Sequence, residues 1–282
     1  MKITISKFAG FCQGAKRAYD ISINSAKKNN KNLYILGDLL HNKHVSDKIK
    51  SLGIKKIEST NKIKKGSIII SAHGVSKSII QEAEKKALNI INTTCPKVIK
   101  VQQIVKKYYL DNIFIFIFGD KNHKEVRGIN GWCDNNATII SDIKEIKNID
   151  FSKIKNAVIV SQTTQELKKF LQIVKFLRKK IKNLKIFNTI CDATKNRQEE
   201  AKKISAENDA IIVIGGKKSA NSKKLFKIAK ENNKNVFFVN SASEINLKNF
   251  SDFKKIGITA GASTPDCIIK NVCKKLKTLK TL

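Results

Sequence analysis

Ile90-Ile91-Asn92-Thr93-Thr94-Cys95-Pro96-Lys97-Val98-Ile99 decides the fold, because its pattern occurs three times in the chain. An apolar strand leads to a cysteine, and the start of a helix follows. Pro96 suits that start, since the first turn of a helix has no use for its missing N–H. Upstream, Ile3-Thr4-Ile5 precedes Cys12-Gln13-Gly14-Ala15-Lys16-Arg17-Ala18. Downstream, Ile186-Phe187-Asn188-Thr189-Ile190 precedes Cys191-Asp192-Ala193-Thr194-Lys195-Asn196-Arg197-Gln198. Beyond each cysteine an apolar strand ends in glycine, at Gly37, Gly119 and Gly215, with spacings of 25, 24 and 24 residues. Four residues past these glycines stand His41, His123 and Ser219. A second strand in each repeat ends in small polar residues: Ser71-Ala72-His73-Gly74, Ser161-Gln162-Thr163-Thr164 and Thr259-Ala260-Gly261-Ala262-Ser263. A repeat of this kind predicts related structural units. The expected fold is α/β, with three pseudo-threefold-related lobes over residues 13–94, 95–189 and 190–270. Segments 1–12 and 271–282 pack on them. Continuous apolar strands such as Ile113–Phe118, flanked by helical stretches, belong to buried, mostly parallel sheets. Ligands of such sheets bind beyond the carboxyl ends of the strands, where every motif above lies.

With 282 residues and 41% hydrophobic content, the chain can bury a sizeable core without disulfides. The apolar run Ile113–Phe118 is far too short to cross a bilayer, so no membrane insertion is expected. Met1-Lys2-Ile3-Thr4-Ile5-Ser6-Lys7 lacks the apolar core of a signal peptide. The reading is cytoplasmic, where cysteines stay reduced and serve as ligands or nucleophiles. The net charge of +33 comes almost wholly from lysine, with arginine only at positions 17, 127, 178 and 197. A nucleic-acid binder clusters its charge and favours arginine. Scattered Lys, Asn and Ile fit an A/T-rich genome better, so no specific nucleic-acid partner is expected.

Cys12, Cys95 and Cys191 are 83 and 96 residues apart, too far for a local zinc knuckle. Brought together, three thiolates suit an iron–sulfur cluster with one iron lacking a protein thiolate. Three thiols with an open position could also hold zinc. Cys133, Cys267 and Cys273 lie outside the repeat and are expected to be packing residues. Three of the four histidines, His41, His73 and His123, fall on motif loops with Ser219, Asn221 and Ser263. Hydroxyls, an amide, histidines and helix N-termini are what phosphate oxygens need. Glu125 is the one carboxylate in this set, either a proton donor or simply an acid favoured at a helix start. The hydroxyls of Ser161 to Thr164 would also suit the cap of the next helix.

The chain resembles the 4-hydroxy-3-methylbut-2-enyl diphosphate reductase family over nearly its whole length. The matching motifs are Gly10-Phe11-Cys12 with Gly14 and Arg17-Ala18, His41-Asn42 with Val45, Ser71-Ala72-His73-Gly74 and Thr94-Cys95-Pro96. They continue with His123, Glu125-Val126 and Gly128, Gln162-Thr163-Thr164, Cys191 with Ala193-Thr194 and Asn196-Arg197-Gln198, Ser219 with Asn221-Ser222, and Gly261-Ala262-Ser263 with Pro265-Asp266. Two positions depart: Lys124 where the family usually has proline, and Ala220 where it often has a second serine, which is expected to weaken one phosphate contact. The resemblance implies one central 4Fe–4S cluster held by Cys12, Cys95 and Cys191, with one iron open to substrate. It implies a diphosphate held by His41, His73, His123, Ser219, Ala220, Asn221 and Ser263. Thr163 would orient the substrate hydroxyl and Glu125 would supply protons. The implied reaction is reductive dehydroxylation of (E)-4-hydroxy-3-methylbut-2-enyl diphosphate to isopentenyl and dimethylallyl diphosphate, the last step of the non-mevalonate isoprenoid pathway. The electron donor would be of ferredoxin or flavodoxin type. Two alternatives remain at this stage: a basic nucleic-acid-binding protein with a metal site, and a zinc hydrolase of a phosphorylated substrate.

Overall fold

The computed structural model describes residues 1–28, 32–147 and 149–280. From the N-terminus the chain forms β1 (Lys2–Ile5), α1 (Gln13–Lys28), β2 (Leu33–Leu36), α2 (Lys43–Ser51), β3 (Lys55–Ile57), β4 (Ser67–Ile70), α3 (Lys77–Lys85) and β5 (Asn89–Asn92). The middle third forms α4 (Pro96–Leu110), β6 (Phe114–Phe118), α5 (Lys124–Asn130), β7 (Thr138–Ile140), α6 (Ile143–Ile146), β8 (Asn156–Ser161), α7 (Leu167–Lys180) and β9 (Asn183–Ile186). The remainder forms α8 (Asp192–Glu207), β10 (Ala210–Ile214), α9 (Ala220–Asn232), β11 (Val236–Val239), β12 (Lys255–Ala260) and α10 (Asp266–Lys277).

The strands make three four-stranded sheets, ordered β1-β12-β10-β11, β3-β2-β4-β5 and β7-β6-β8-β9. Every pairing in them is parallel. The three orders are one order. The strand leading to a cysteine (β1, β5 or β9) lies at an edge, beside the strand that ends in the second polar motif, and the glycine-ended strand comes next. The sheet around β10 and β12 is completed by the chain's own first strand, β1, in register with Lys255–Ile258. This confirms an α/β fold of three parallel-sheet lobes.

Two compact units contain these sheets. Met1–Lys16, Leu40–Ser51 and Asp192–Leu282 form the first, around β1-β12-β10-β11. Arg17–Leu39 and Leu52–Cys191 form the second, around the other two sheets. Successive side chains of a strand point to opposite faces, so a strand covered on both faces must be apolar throughout. In β10, Ile212 and Ile214 pack with Val272 and Leu276 of α10, while Ile211 and Val213 pack with Ala201 and Ile204 of α8 and Leu225 of α9. In β6, Phe116 and Phe118 meet Phe170 and Leu177 of α7, and Ile115 and Ile117 meet Val101 of α4 and Val126 of α5. Each such fully buried side chain contributes about 1.5–3 kcal/mol.

Among the described residues no helix is long and apolar enough to cross a membrane. Two expectations need correction. α7 begins at Leu167 behind Glu166, beyond the hydroxyls of Ser161, Thr163 and Thr164, and has no side-chain cap. Cys133 and Cys273 are buried in cores, but Cys267 is exposed on α10 and is not a core residue.

Candidate active site

Each cysteine of the repeat is suspended by the same backbone bond. The N–H of Cys12 donates to Ala262 O at 3.1 Å, that of Cys95 to Ala72 O at 3.1 Å, and that of Cys191 to Thr163 O at 2.9 Å. Each acceptor is the second residue after the neighbouring strand's end, in Gly261-Ala262, Ser71-Ala72 and Gln162-Thr163 respectively. The thiols of Cys12, Cys95 and Cys191 are half-buried, and no disulfide occurs among the described residues. By contrast, burial pushes the Cys133 thiol up to about 11, so it stays a neutral core group.

In the second unit, His123 caps α5, its Nδ1 accepting the Glu125 N–H at 3.2 Å. Its ring meets that of His73 edge to face, with centroids 5.7 Å apart. Glu125 sits in the first turn of α5, only 3% exposed. Its Oε1 accepts the Thr163 N–H at 2.6 Å and its Oε2 accepts the Thr163 Oγ–H at 2.9 Å. Burial pushes the Glu125 carboxyl up to about 6, although the two Thr163 bonds pull the other way. Thr163 therefore links two residues through three of its own groups: its N–H and hydroxyl hold Glu125, and its carbonyl holds Cys191. Gln162, also buried, steadies the turn by accepting the Asp120 N–H at 3.0 Å and donating to Thr164 Oγ1 at 2.9 Å.

The first unit carries the remaining residues. Ser219 caps α9, accepting from Ser222 N–H at 3.3 Å and from the Ser222 hydroxyl at 3.1 Å. Asn221 is 5% exposed, yet neither its Oδ1 nor its Nδ2 has a hydrogen-bond partner among the described residues, and the same holds for Ser263 Oγ. Leaving such atoms unsatisfied costs roughly 1–3 kcal/mol each. His41, expected in the first lobe, joins this unit. Its carbonyl approaches Gly216 so closely that a Cβ there would stand 2.4 Å from the oxygen.

Three positioning residues lie outside the expected set. Asn42, beside His41, caps α2 through Oδ1 bonds from the N–H groups of His44 (3.0 Å) and Val45 (3.4 Å). An asparagine just before a helix is a cap signal that could have found it. Arg197 is buried on α8 and donates to Gly10 O and Ala193 O, both at 2.8 Å. Glu200, one turn on, accepts from Ser6 Oγ, Lys7 N (2.9 Å) and Phe8 N (3.1 Å). Together they fix the 6–10 segment that leads to Cys12. Nothing local in the sequence distinguishes Glu200 from the other charges on its helix.

A family described as "LytB protein" matches residues 3–277. The 4-hydroxy-3-methylbut-2-enyl diphosphate reductase of Thermoanaerobacter sp. (strain X514) is 43% identical over 99% of this chain and 98% of its own. The Plasmodium falciparum structure of E-1-hydroxy-2-methyl-but-2-enyl-4-diphosphate reductase is 30% identical, with a TM-score of 0.90 over 98% of this chain and 87% of that one. A second solved structure, of (E)-4-hydroxy-3-methyl-but-2-enyl diphosphate reductase, is 35% identical with a TM-score of 0.74, covering 99% of this chain and 100% of that one. Matched along essentially its full length in sequence and fold, the chain belongs to the LytB protein family.

Proposed function

We propose that the chain reduces (E)-4-hydroxy-3-methylbut-2-enyl diphosphate to isopentenyl and dimethylallyl diphosphate. Two electrons and two protons remove the hydroxyl as water. Family membership and the names of the relatives support the substrate and its place at the end of the non-mevalonate pathway.

Cys12, Cys95 and Cys191 would hold one 4Fe–4S cluster, leaving one iron without a protein thiolate. Their shared suspension and half-buried thiols favour this, and the other three cysteines lack both features. Among the described residues no group of three or more His, Cys, Asp or Glu could hold a metal ion. A single zinc needs its ligands about 2.0–2.3 Å from one centre, whereas a cluster takes each thiolate on a different iron. Three thiolates are the soft donors that such clusters take. When bound, the cluster would supply electrons and Lewis acidity to the departing hydroxyl.

Asn221, which is buried, and Ser263, whose Oγ is buried, have unsatisfied polar atoms suited to phosphate oxygens, with Ser219, His41, His73 and His123 as further donors. Ala220, the first residue of α9, offers only its backbone N–H. The electron donor would be of ferredoxin or flavodoxin type, and the setting cytoplasmic.

The observation that carries the chemistry is the Glu125–Thr163 pair. Because the Thr163 N–H occupies Oε1, a proton on Glu125 must sit on Oε2, facing the Thr163 hydroxyl. The protonated carboxyl then donates to Thr163 Oγ, whose own proton becomes free to pass on. A carboxyl titrating at about 6 holds and releases a proton near neutral pH. Glu125→Gln keeps the Thr163 N–H bond to Oε1, lets Nε2 donate to Thr163 Oγ as the protonated carboxyl would, and cannot release a proton. With a strong artificial reductant its turnover should fall on the order of 10²–10⁴-fold while iron and sulfide are retained. Near-normal turnover would remove Glu125 from proton delivery.

A further inference from the structure

Ser222 has no assigned role, yet its hydroxyl occupies the most confined place in the first unit. It is fully buried. A Cβ built on Gly215 would stand 2.2 Å from its Oγ, and one on Gly261 2.0 Å. Both glycines are fixed in the sheet, Gly215 N–H to Val239 O at 2.9 Å and Gly261 N–H to Ile214 O at 2.8 Å. The hydroxyl thus fits a slot that exists only because two strand ends lack side chains. From that slot it donates to Ser219 Oγ at 3.1 Å, and the Ser222 N–H donates to the same oxygen at 3.3 Å. A serine hydroxyl has two acceptor sites and one proton. With both acceptor sites filled, Ser219 can only act outward as a donor.

We infer that Ser222 is a positioning residue that makes Ser219 an obligate hydrogen-bond donor, fitting the pocket to acceptor-only phosphate oxygens. This rests on the diphosphate reading given above. The same device recurs four residues past Gly119. There the Glu125 N–H occupies Nδ1 of the His123 cap, so the neutral ring carries its proton on Nε2. Helix capping therefore sets donor polarity at corresponding positions in two lobes.

The test is calorimetric titration of the protein with inorganic diphosphate at fixed ionic strength. Wild type is compared with Ser219→Ala, Ser222→Ala, Ser222→Cys and the double alanine variant. Losing one oriented donor should weaken binding on the order of tenfold in Ser222→Ala. Ser222→Cys, with a weakly donating thiol, should fall between it and wild type. The double variant should bind no worse than Ser219→Ala, because Ser222 acts through Ser219. In the loaded enzyme, Ser222→Ala should raise KM for substrate and leave kcat within about twofold. Wild-type affinity in Ser222→Ala, beside weakened Ser219→Ala, would overturn the inference alone. An undiminished Ser222→Ala effect in the Ser219→Ala background would also overturn it, by showing a purely structural role. Unchanged binding in Ser219→Ala would sink both this inference and the diphosphate reading of Ser219.

Discussion

At Glu125 burial and two groups of one neighbour decide what a carboxyl does. An acid in the first turn of an exposed helix would normally be ionised and favoured by the dipole. Here burial outweighs that, and the Thr163 N–H and hydroxyl offset it only in part. The folded protein therefore prefers the neutral form, which ties stability to pH. An unfolded glutamate titrates near 4.5 and the folded one at about 6. The preference is fully realised below pH 4.5 and is lost as pH rises through about 6. Above that, the buried carboxylate costs on the order of 2 kcal/mol. Glu125→Gln, uncharged at every pH, should gain about that much stability relative to wild type between pH 4 and pH 7.5. Denaturant unfolding at the two pH values measures the gap. An equal gap at both would mean that Glu125 ionises normally.

Elements explain why some of this was legible in the sequence and some was not. β6 and β10 announce themselves, because sheets covered on both faces demand unbroken apolar runs. The edge strand β3, Lys55-Lys56-Ile57, has no such run and is not among the predicted strands. The cysteine-bearing turns were legible because the repeat places like residues at like offsets. Contacts across long separations left no local trace: Glu125 lies 38 residues from Thr163, and Arg197 lies 187 from Gly10. That also hid the work of α8, where Arg197 and Glu200 share a face one turn apart and hold the segment leading to Cys12. Glu200→Ala removes the acceptor for Ser6 Oγ and for two backbone N–H groups. Because the segment is partly exposed, water can replace some of the loss, and the cost should be about 1–2 kcal/mol. The expected signature is local: faster amide exchange at Lys7 and Phe8, with retained exchange protection in β10. Unchanged exchange at both amides would show that another contact holds the segment.

For the molecule as a whole, stability resides in the parallel sheets and their helices, and the many lysines add little. Pairs such as Lys195–Glu199, Lys203–Glu207 and Lys227–Glu231 are exposed and long, at 3.9, 4.0 and 4.0 Å, and such pairs are worth a few tenths of a kcal/mol. The specific property of the chain is its threefold repetition, which sets an equivalent cysteine at each of three strand ends. We propose that these three thiols, and no others, hold one iron–sulfur cluster. Iron and sulfide per chain after anaerobic purification, compared across wild type and the six single Cys→Ser variants, test it most directly. Wild type should be brown with close to a full 4Fe–4S complement. Cys133→Ser, Cys267→Ser and Cys273→Ser should match it, whereas Cys12→Ser, Cys95→Ser and Cys191→Ser should each lose or degrade the cluster. Equal iron loss in Cys267→Ser, or a colourless zinc protein in wild type, would contradict it.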